Sequence, residues 1–228
     1  MSKVNRDTTI KEYQGFVKEV YGVPNDRYFS VWDMITNVER FMMRGLKGIR
    51  KNDAQKIKIN LLIGLSWFMS IMNQLHVDIE KNIWERFPYQ CSYCASSPCS
   101  CKEKKVEIRQ KLTVDESRRP KTLDDFQNMF EKIYPAGNRT LDHAGVHLAE
   151  EAGEFSEAIL AYRGGHVDED FRRVELEAAD FFSCIMGVFN SLGVSTAEEL
   201  ALMFSNNCHV CHNAPCTCNF RDITEFKS

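Results

Sequence analysis

The segment Cys91-Ser-Tyr-Cys94-Ala-Ser-Ser-Pro-Cys99-Ser-Cys101 returns 117 residues later as Cys208-His-Val-Cys211-His-Asn-Ala-Pro-Cys216-Thr-Cys218. Four cysteines and a proline coincide at one offset, and this constrains the fold more than any other feature. Asn73, Leu75 and Val77 fall on Asn190, Leu192 and Val194 at the same offset. Further upstream, Thr9, Gln14 and Tyr21 match Thr122, Gln127 and Tyr134 at an offset of 113. The chain therefore reads as two copies of one unit of about a hundred residues. Their expected bounds are 1–101 and 122–228, with 102–121, charged and weakly apolar, as the linker.

Helical periodicity runs through both copies and no period-two strand pattern interrupts it. The second copy predicts helices over about 122–133, 141–162, 168–192 and 195–205. The first predicts them over about 9–21, 28–47, 53–76 and 78–87. Thr122 with Asp125 three residues on forms a capping pattern. Gly164-Gly165 ends the second helix of its copy. The expected fold class is all-α: two four-helix repeats, each closed by a Cys₄ knuckle.

Each knuckle has the spacing C-x₂-C-x₄-C-x-C, in which a tight turn aims two sulfurs at one centre, as tetrahedral Zn²⁺ requires. The expected structural zinc ligands are Cys91, Cys94, Cys99 and Cys101, then Cys208, Cys211, Cys216 and Cys218. Zinc within each repeat is the simplest arrangement, and sharing between repeats stays open. His209 and His212 are alternative donors. The ninth cysteine, Cys184, reads as a small core residue.

Hydrophobic residues make up 43% of the chain, ordinary globular composition. There is no run of eighteen apolar residues and no secretory pattern at the start, so no membrane span and a cytoplasmic location are the expectations. Charge is uneven: residues 1–113 hold 19 Lys+Arg against 12 Asp+Glu, and the remainder 10 against 20. A basic half beside an acidic half suits a phosphate-and-metal ligand, and equally two solvated surfaces. Nucleic acid is not an expected partner, because no recognition module is present.

Glu151-Ala-Gly-Glu154 and Glu177-Ala-Ala-Asp180 each place two carboxylates three residues apart on one helix face. Converging carboxylates repel one another, and hard divalent cations bound through oxygen relieve that repulsion. Such pairs are usually solvated faces; two of them among apolar residues mark a candidate metal site. Glu150, with Glu154 and Glu157, is an alternative stripe.

The run from Leu148 to Ile159, followed by Glu175 to Phe182, resembles the MazG-like all-α nucleoside triphosphate pyrophosphohydrolases. Their signature is E-x-x-E, some two dozen residues, then E-x-x-D. The resemblance covers about 122–206 and includes Asn190-Ser-Leu192-Gly193, with Ala179 where many members have Gly. It implies an Mg²⁺-dependent enzyme that hydrolyses a nucleoside triphosphate to a monophosphate and pyrophosphate. It implies Glu151, Glu154, Glu177 and Asp180 as the metal ligands and Asn190 as a nucleotide contact. Arg163, Arg172 and Arg173 are the nearest cations for the phosphates.

At the offset of 117, Met34, Asn37, Asn60 and Ile63 stand opposite the four acids, so the first copy cannot hold Mg²⁺ this way. An internal pseudo-dimer follows as the expectation, the degenerate copy replacing a second subunit and offering Arg44, Arg50, Lys56 or Lys58 to phosphates. Further oligomerisation stays open. The rival functional reading is a non-catalytic, zinc-dependent helical interaction module. A ferritin-like di-iron protein would want Glu-x-x-His, which neither acidic motif contains.

Overall fold

The computed structural model describes residues 3–104, 106–219 and 221–222. Among these are eight α-helices and no strand. They are α1 (Ile10–Tyr28), α2 (Val31–Arg50), α3 (Ala54–Gln74), α4 (Ile79–Arg86), α5 (Leu123–Ile133), α6 (Leu141–Gly165), α7 (Asp168–Leu192) and α8 (Thr196–Met203). The all-helical class and the two Cys₄ clusters are as expected. No single helix among the described residues is long and apolar enough to cross a membrane.

Equivalent helices begin by the same device. Thr9 accepts from the Glu12 amide while the Glu12 carboxylate accepts from the Thr9 amide, and Thr122 and Asp125 repeat this at α5. Each reciprocal cap satisfies two amides that have no partner within the helix. At the far end of the long helices, His76 (φ 56°) and Gly193 (φ 68°) occupy matching left-handed positions.

One boundary differs from expectation. Helix α1 continues past residue 21, through Pro24, to Tyr28. Proline has no amide hydrogen, so the Val20 carbonyl one turn back receives no bond from position 24. The amide of Cys216 fills that vacancy at 2.7 Å. In the other repeat the Cys99 amide donates to the Ile133 carbonyl, at the end of α5, at 2.8 Å.

These two bonds reveal how the chain divides. Its compact units are residues 1–78 with 196–228 (unit 1) and residues 79–195 (unit 2). The division does not follow the expected bounds at 101 and 122. Unit 1 contains α1–α3 of the first copy with α8 and the knuckle of the second; unit 2 contains α5–α7 of the second copy with α4 and the knuckle of the first. Packing is the reason. In unit 2, α4 lies along α7, and Phe87 meets Phe130 at 5.3 Å and Tyr134 at 6.2 Å between ring centroids. In unit 1, Phe204 sits 5.5 Å from Phe16 and 6.3 Å from Tyr13. Residues 102–121 also belong to unit 2: Glu116 accepts from the Trp84 indole at 2.9 Å and Arg119 pairs with Glu80 at 3.2 Å.

Candidate metal and carboxylate sites

Within each knuckle the four sulfurs lie within 4.8 Å of one another. Cys91 and Cys101 are 3.8 Å apart, Cys94 and Cys99 3.9 Å, Cys208 and Cys218 3.8 Å, and Cys211 and Cys216 3.8 Å. A regular tetrahedron with Zn–S of about 2.3 Å has edges of about 3.8 Å, so both clusters fit one zinc ion each. The backbones match as well: Ala95 and His212 share a left-handed φ, and Cys91 and Cys208 each donate an amide bond across the same turn. Burial tends to raise the Cys94 thiol, but hydrogen bonds from Ser96 and neighbouring amides outweigh it and bring it down to about 5. Desolvation carries Cys99 up to about 11 and Cys218 up to about 12. Four crowded thiols cannot all ionise unaided, and a divalent cation at their centre removes that obstacle. His209 and His212 lie outside both four-sulfur sets. His209 instead approaches the Tyr21 hydroxyl at 3.3 Å.

The carboxylate site is built on unit 2. Helix α6 delivers Glu151, and α7 delivers Glu177 and Asp180; one oxygen from each lies within 4.8 Å of the others. Glu154, a turn beyond Glu151, is solvent-exposed and outside this trio, though its charge is felt by both Glu151 and Glu177. The Glu151 carboxyl is pushed up to about 7, first by desolvation and then by Asp180, Glu154 and Glu177. Glu177 is raised by the same kinds of cause. Glu151 Oε2 is buried with no hydrogen-bond partner. An acceptor left bare among like charges fits a hard cation, and the donor set is all oxygen, as Mg²⁺ takes. Glu150 is exposed and paired with His147 at 3.1 Å, so the alternative stripe does not enter the cluster.

The principal counter-charge was not foreseen. Arg86, at the end of α4, binds Asp180 in fork fashion, Nε to Oδ1 at 3.0 Å and Nη2 to Oδ2 at 2.5 Å. The two side chains are only 9% and 14% exposed. A guanidinium from the first copy thus completes the acidic cluster of the second. Arg139 is a second unforeseen cation: its Nη2 donates to the Gly187 carbonyl at 3.1 Å, while its buried Nε has no partner. It lies close enough to Cys184 to lower that thiol, which desolvation and then Glu151 hold up at about 12. Cys184 therefore neighbours the carboxylates rather than a purely apolar core.

The residues expected at the phosphates are distributed differently. Arg173 pairs with Glu157 at 3.2 Å and approaches Glu177 at 3.9 Å, beside the cluster. Arg172 pairs with Glu175, and Arg163 is exposed. The Asn190 amide is engaged with α5: it donates to the Gln127 carbonyl at 3.2 Å and accepts from the Gln127 side chain at 2.9 Å. Asn73 donates to the Gln14 carbonyl at 3.0 Å in the copy without carboxylates, so this tie belongs to the framework. In unit 1, Lys58 pairs with Glu199 at 2.7 Å and Arg44 lies over the Phe41 ring.

No family model, curated protein or solved structure matches this chain.

Proposed function

We propose that unit 2 is an Mg²⁺-dependent nucleoside triphosphate pyrophosphohydrolase of the MazG-like kind, converting an NTP or dNTP to the monophosphate and pyrophosphate in control of a nucleotide pool. The observation that carries this reading is the convergence of Glu151, Glu177 and Asp180, with Glu151 Oε2 bare, on an E-x-x-E and E-x-x-D framework. Glu151, Glu154, Glu177 and Asp180 would hold the metal. Bound there, Mg²⁺ would neutralise phosphate charge and lower the pKa of a water.

The chain's own residues supply the rest. Hydrolysis adds water's oxygen to phosphorus, breaks the bond joining the α- and β-phosphates and releases pyrophosphate; the water's proton needs an acceptor. A carboxylate oxygen of the acidic set that is not occupied by the metal would accept it, and Glu154, exposed beside the trio, is placed for that task. Arg86 sets the charge of the cluster through Asp180 and, with Arg139 and Arg173, surrounds it with cationic groups suited to phosphate oxygens. The reciprocal make-up of the units favours the internal pseudo-dimer: a fragment spanning 114–228 lacks Arg86, α4 and the first knuckle, and is expected to be inactive.

The test is hydrolysis of each NTP and dNTP by zinc-loaded protein with Mg²⁺, with monophosphate and pyrophosphate both quantified, in wild type and Glu177→Gln. Equimolar products from wild type are expected. The variant should lose more than the roughly 100-fold that marks loss of a supporting partner at a metal site. No turnover of any triphosphate would leave the non-catalytic zinc module as the surviving reading.

A further inference from the structure

Arg139, in the turn before α6, is a half-buried cation with a slot built for it. Its Nη2 donates to the Gly187 carbonyl at 3.1 Å. A Cβ at Gly187 would stand 2.7 Å from Nη2 and 3.0 Å from Cζ, so only glycine lets the guanidinium pass. Unit 1 has Ser70 at the matching position, with its hydroxyl turned back to the Ser66 carbonyl at 3.0 Å. The slot therefore goes with the acid-bearing unit. Yet the Arg139 Nε is buried with no hydrogen-bond partner, and the charge of Glu131 reaches this guanidinium without an ion pair.

Three more basic side chains gather around it. Lys102, just after the first knuckle, donates to the carbonyl of Asn138 at 3.3 Å, one residue before Arg139. His143 stands in the first turn of α6, and its ring meets that of His147 at 4.5 Å between centroids. The charges of His147, Lys102 and Arg139 oppose protonation of His143, with Glu150 against them. Glu150 is itself engaged by His147 at 3.1 Å. Clustered cations repel one another as converging carboxylates do, and a multivalent anion relieves that repulsion.

The position of the cluster identifies the anion. On α7, Gly187 lies two turns from Asp180, about 10 Å at the usual rise of about 1.5 Å per residue. Cys184, between them, feels both Arg139 and the carboxylates of Glu151 and Asp180. On α6, His147 lies one turn before Glu151. Both helices thus run from a basic end to an acidic, metal-fitting one. A ligand reaching from the first to the second must carry negative charge at one end and bind a hard cation at the other, as linked phosphates do.

We infer that Lys102, Arg139, His143 and His147 form an anion site for the terminal phosphates of a polyphosphate, one to two helical turns from the carboxylates. That the anion is the pyrophosphate end of a nucleoside triphosphate rests on the function proposed above; the anion site itself does not.

Calorimetric titration of the full-length zinc-loaded protein with pyrophosphate and with inorganic phosphate, without Mg²⁺, tests this. Pyrophosphate should bind about tenfold or more tighter than phosphate. Its affinity should fall about tenfold or more when His143→Gln and His147→Gln are combined, and by a smaller factor in Lys102→Gln. All three positions are exposed, so the core is spared. Glu177→Gln, which removes a neighbouring negative charge, should bind pyrophosphate at least as tightly as wild type. In proton NMR the His143 imidazole should titrate about one pH unit higher with pyrophosphate than with chloride at equal ionic strength, because a bound anion favours the charged ring. No pyrophosphate binding, equal binding of phosphate, affinity unchanged in the variants, or an unmoved His143 titration would each overturn the inference. Pyrophosphate binding without turnover of any triphosphate would keep this site and overturn only the function proposed above. Turnover with the triphosphate KM unchanged in the histidine double variant would overturn the assignment to the substrate's end.

Discussion

On α7, Glu177 and Asp180 lie within reach of Glu151, and Arg86 grips Asp180 from α4. On α3 the matching positions are Asn60 and Ile63, and the position matching Arg86 on α8 is Met203. Acid and base have been exchanged for apolar side chains together, although they lie 94 residues apart in sequence. A buried ion pair can be replaced by hydrophobic groups at little cost, whereas half of one cannot. Around this changed centre the frame is unaltered: capping boxes, glutamine–asparagine ties, left-handed turns and four-sulfur knuckles occur in both units. The two units separate what holds this fold from the acidic cluster that unit 2 carries on it.

The sharpest way to break that separation is to remove one knuckle at a time. Cys91→Ser should release one zinc equivalent and cost most of the hydrolytic activity, because Tyr134, beside that cluster, also faces Asp180 and Arg86. Cys208→Ser should release the other zinc and lower the melting temperature, on the order of 10 °C, with activity largely kept. Metal analysis with turnover would distinguish them, and equal activity losses would erase the contrast between the units.

Next in size is the ion pair. Arg86→Met should lower activity by about 10–100-fold, the range for a partner supporting a metal site, and destabilise the metal-free protein by about 3–5 kcal/mol. Adding Asp180→Ile reproduces the unit 1 pattern of Met203 and Ile63. Chemical denaturation should then show most of the stability restored, while the remaining activity is lost with the Asp180 carboxylate.

A pH effect of about tenfold follows from Glu151, whose carboxyl faces Glu154, Glu177 and Asp180 with Arg86 opposing them. Its folded pKa of about 7 lies above the 4.5 ordinary for a glutamate carboxyl. The stability this group contributes is therefore full below about 4.5 and is lost as pH rises through about 7 in metal-free protein. Mg²⁺ affinity should run the opposite way, about tenfold stronger at pH 8 than at pH 6, with proton release on binding. Calorimetry in buffers of different ionisation enthalpy measures both, and a pH-independent affinity would remove Glu151 from the ligand set.

The smallest effect concerns the framework. Asn190→Ala and Asn73→Ala should each cost about 1–2 kcal/mol in denaturant unfolding and leave KM nearly unchanged. A large KM increase for Asn190→Ala alone would return that residue to the substrate.

Much of the helical frame was legible because it is local. Thr122 with Asp125, Gly193 and the periodicity of α7 announce themselves within a few residues. The carboxylate trio was legible for the same reason: two i, i+3 pairs are a local pattern, and a spacing cannot show that Glu154 stays in solvent while Glu151 loses an oxygen's partner. Arg86 and Arg139 were not legible. Both reach the site's surroundings from another element, and the arginines nearest in sequence drew attention first. One signal was present: Met203 opposite Arg86 is lost in step with Ile63 opposite Asp180. The extension of α1 past residue 21 also escaped, because a helix that runs through Pro24 leaves a carbonyl open and the Cys216 amide that takes it lies far along the chain.

Unit 2 is one unbroken stretch, 79–195, set inside the chain of unit 1. During synthesis its last residue emerges from the ribosome before α8 and the second knuckle do. The acid-bearing half can therefore close first, with synthesis at the usual pace of about 5–20 residues per second, while α1–α3 still lack α8 and the second knuckle. Of the two units, the one begun earlier is thus the last to be completed, because unit 1 closes only when the four sulfurs of the second knuckle reach it.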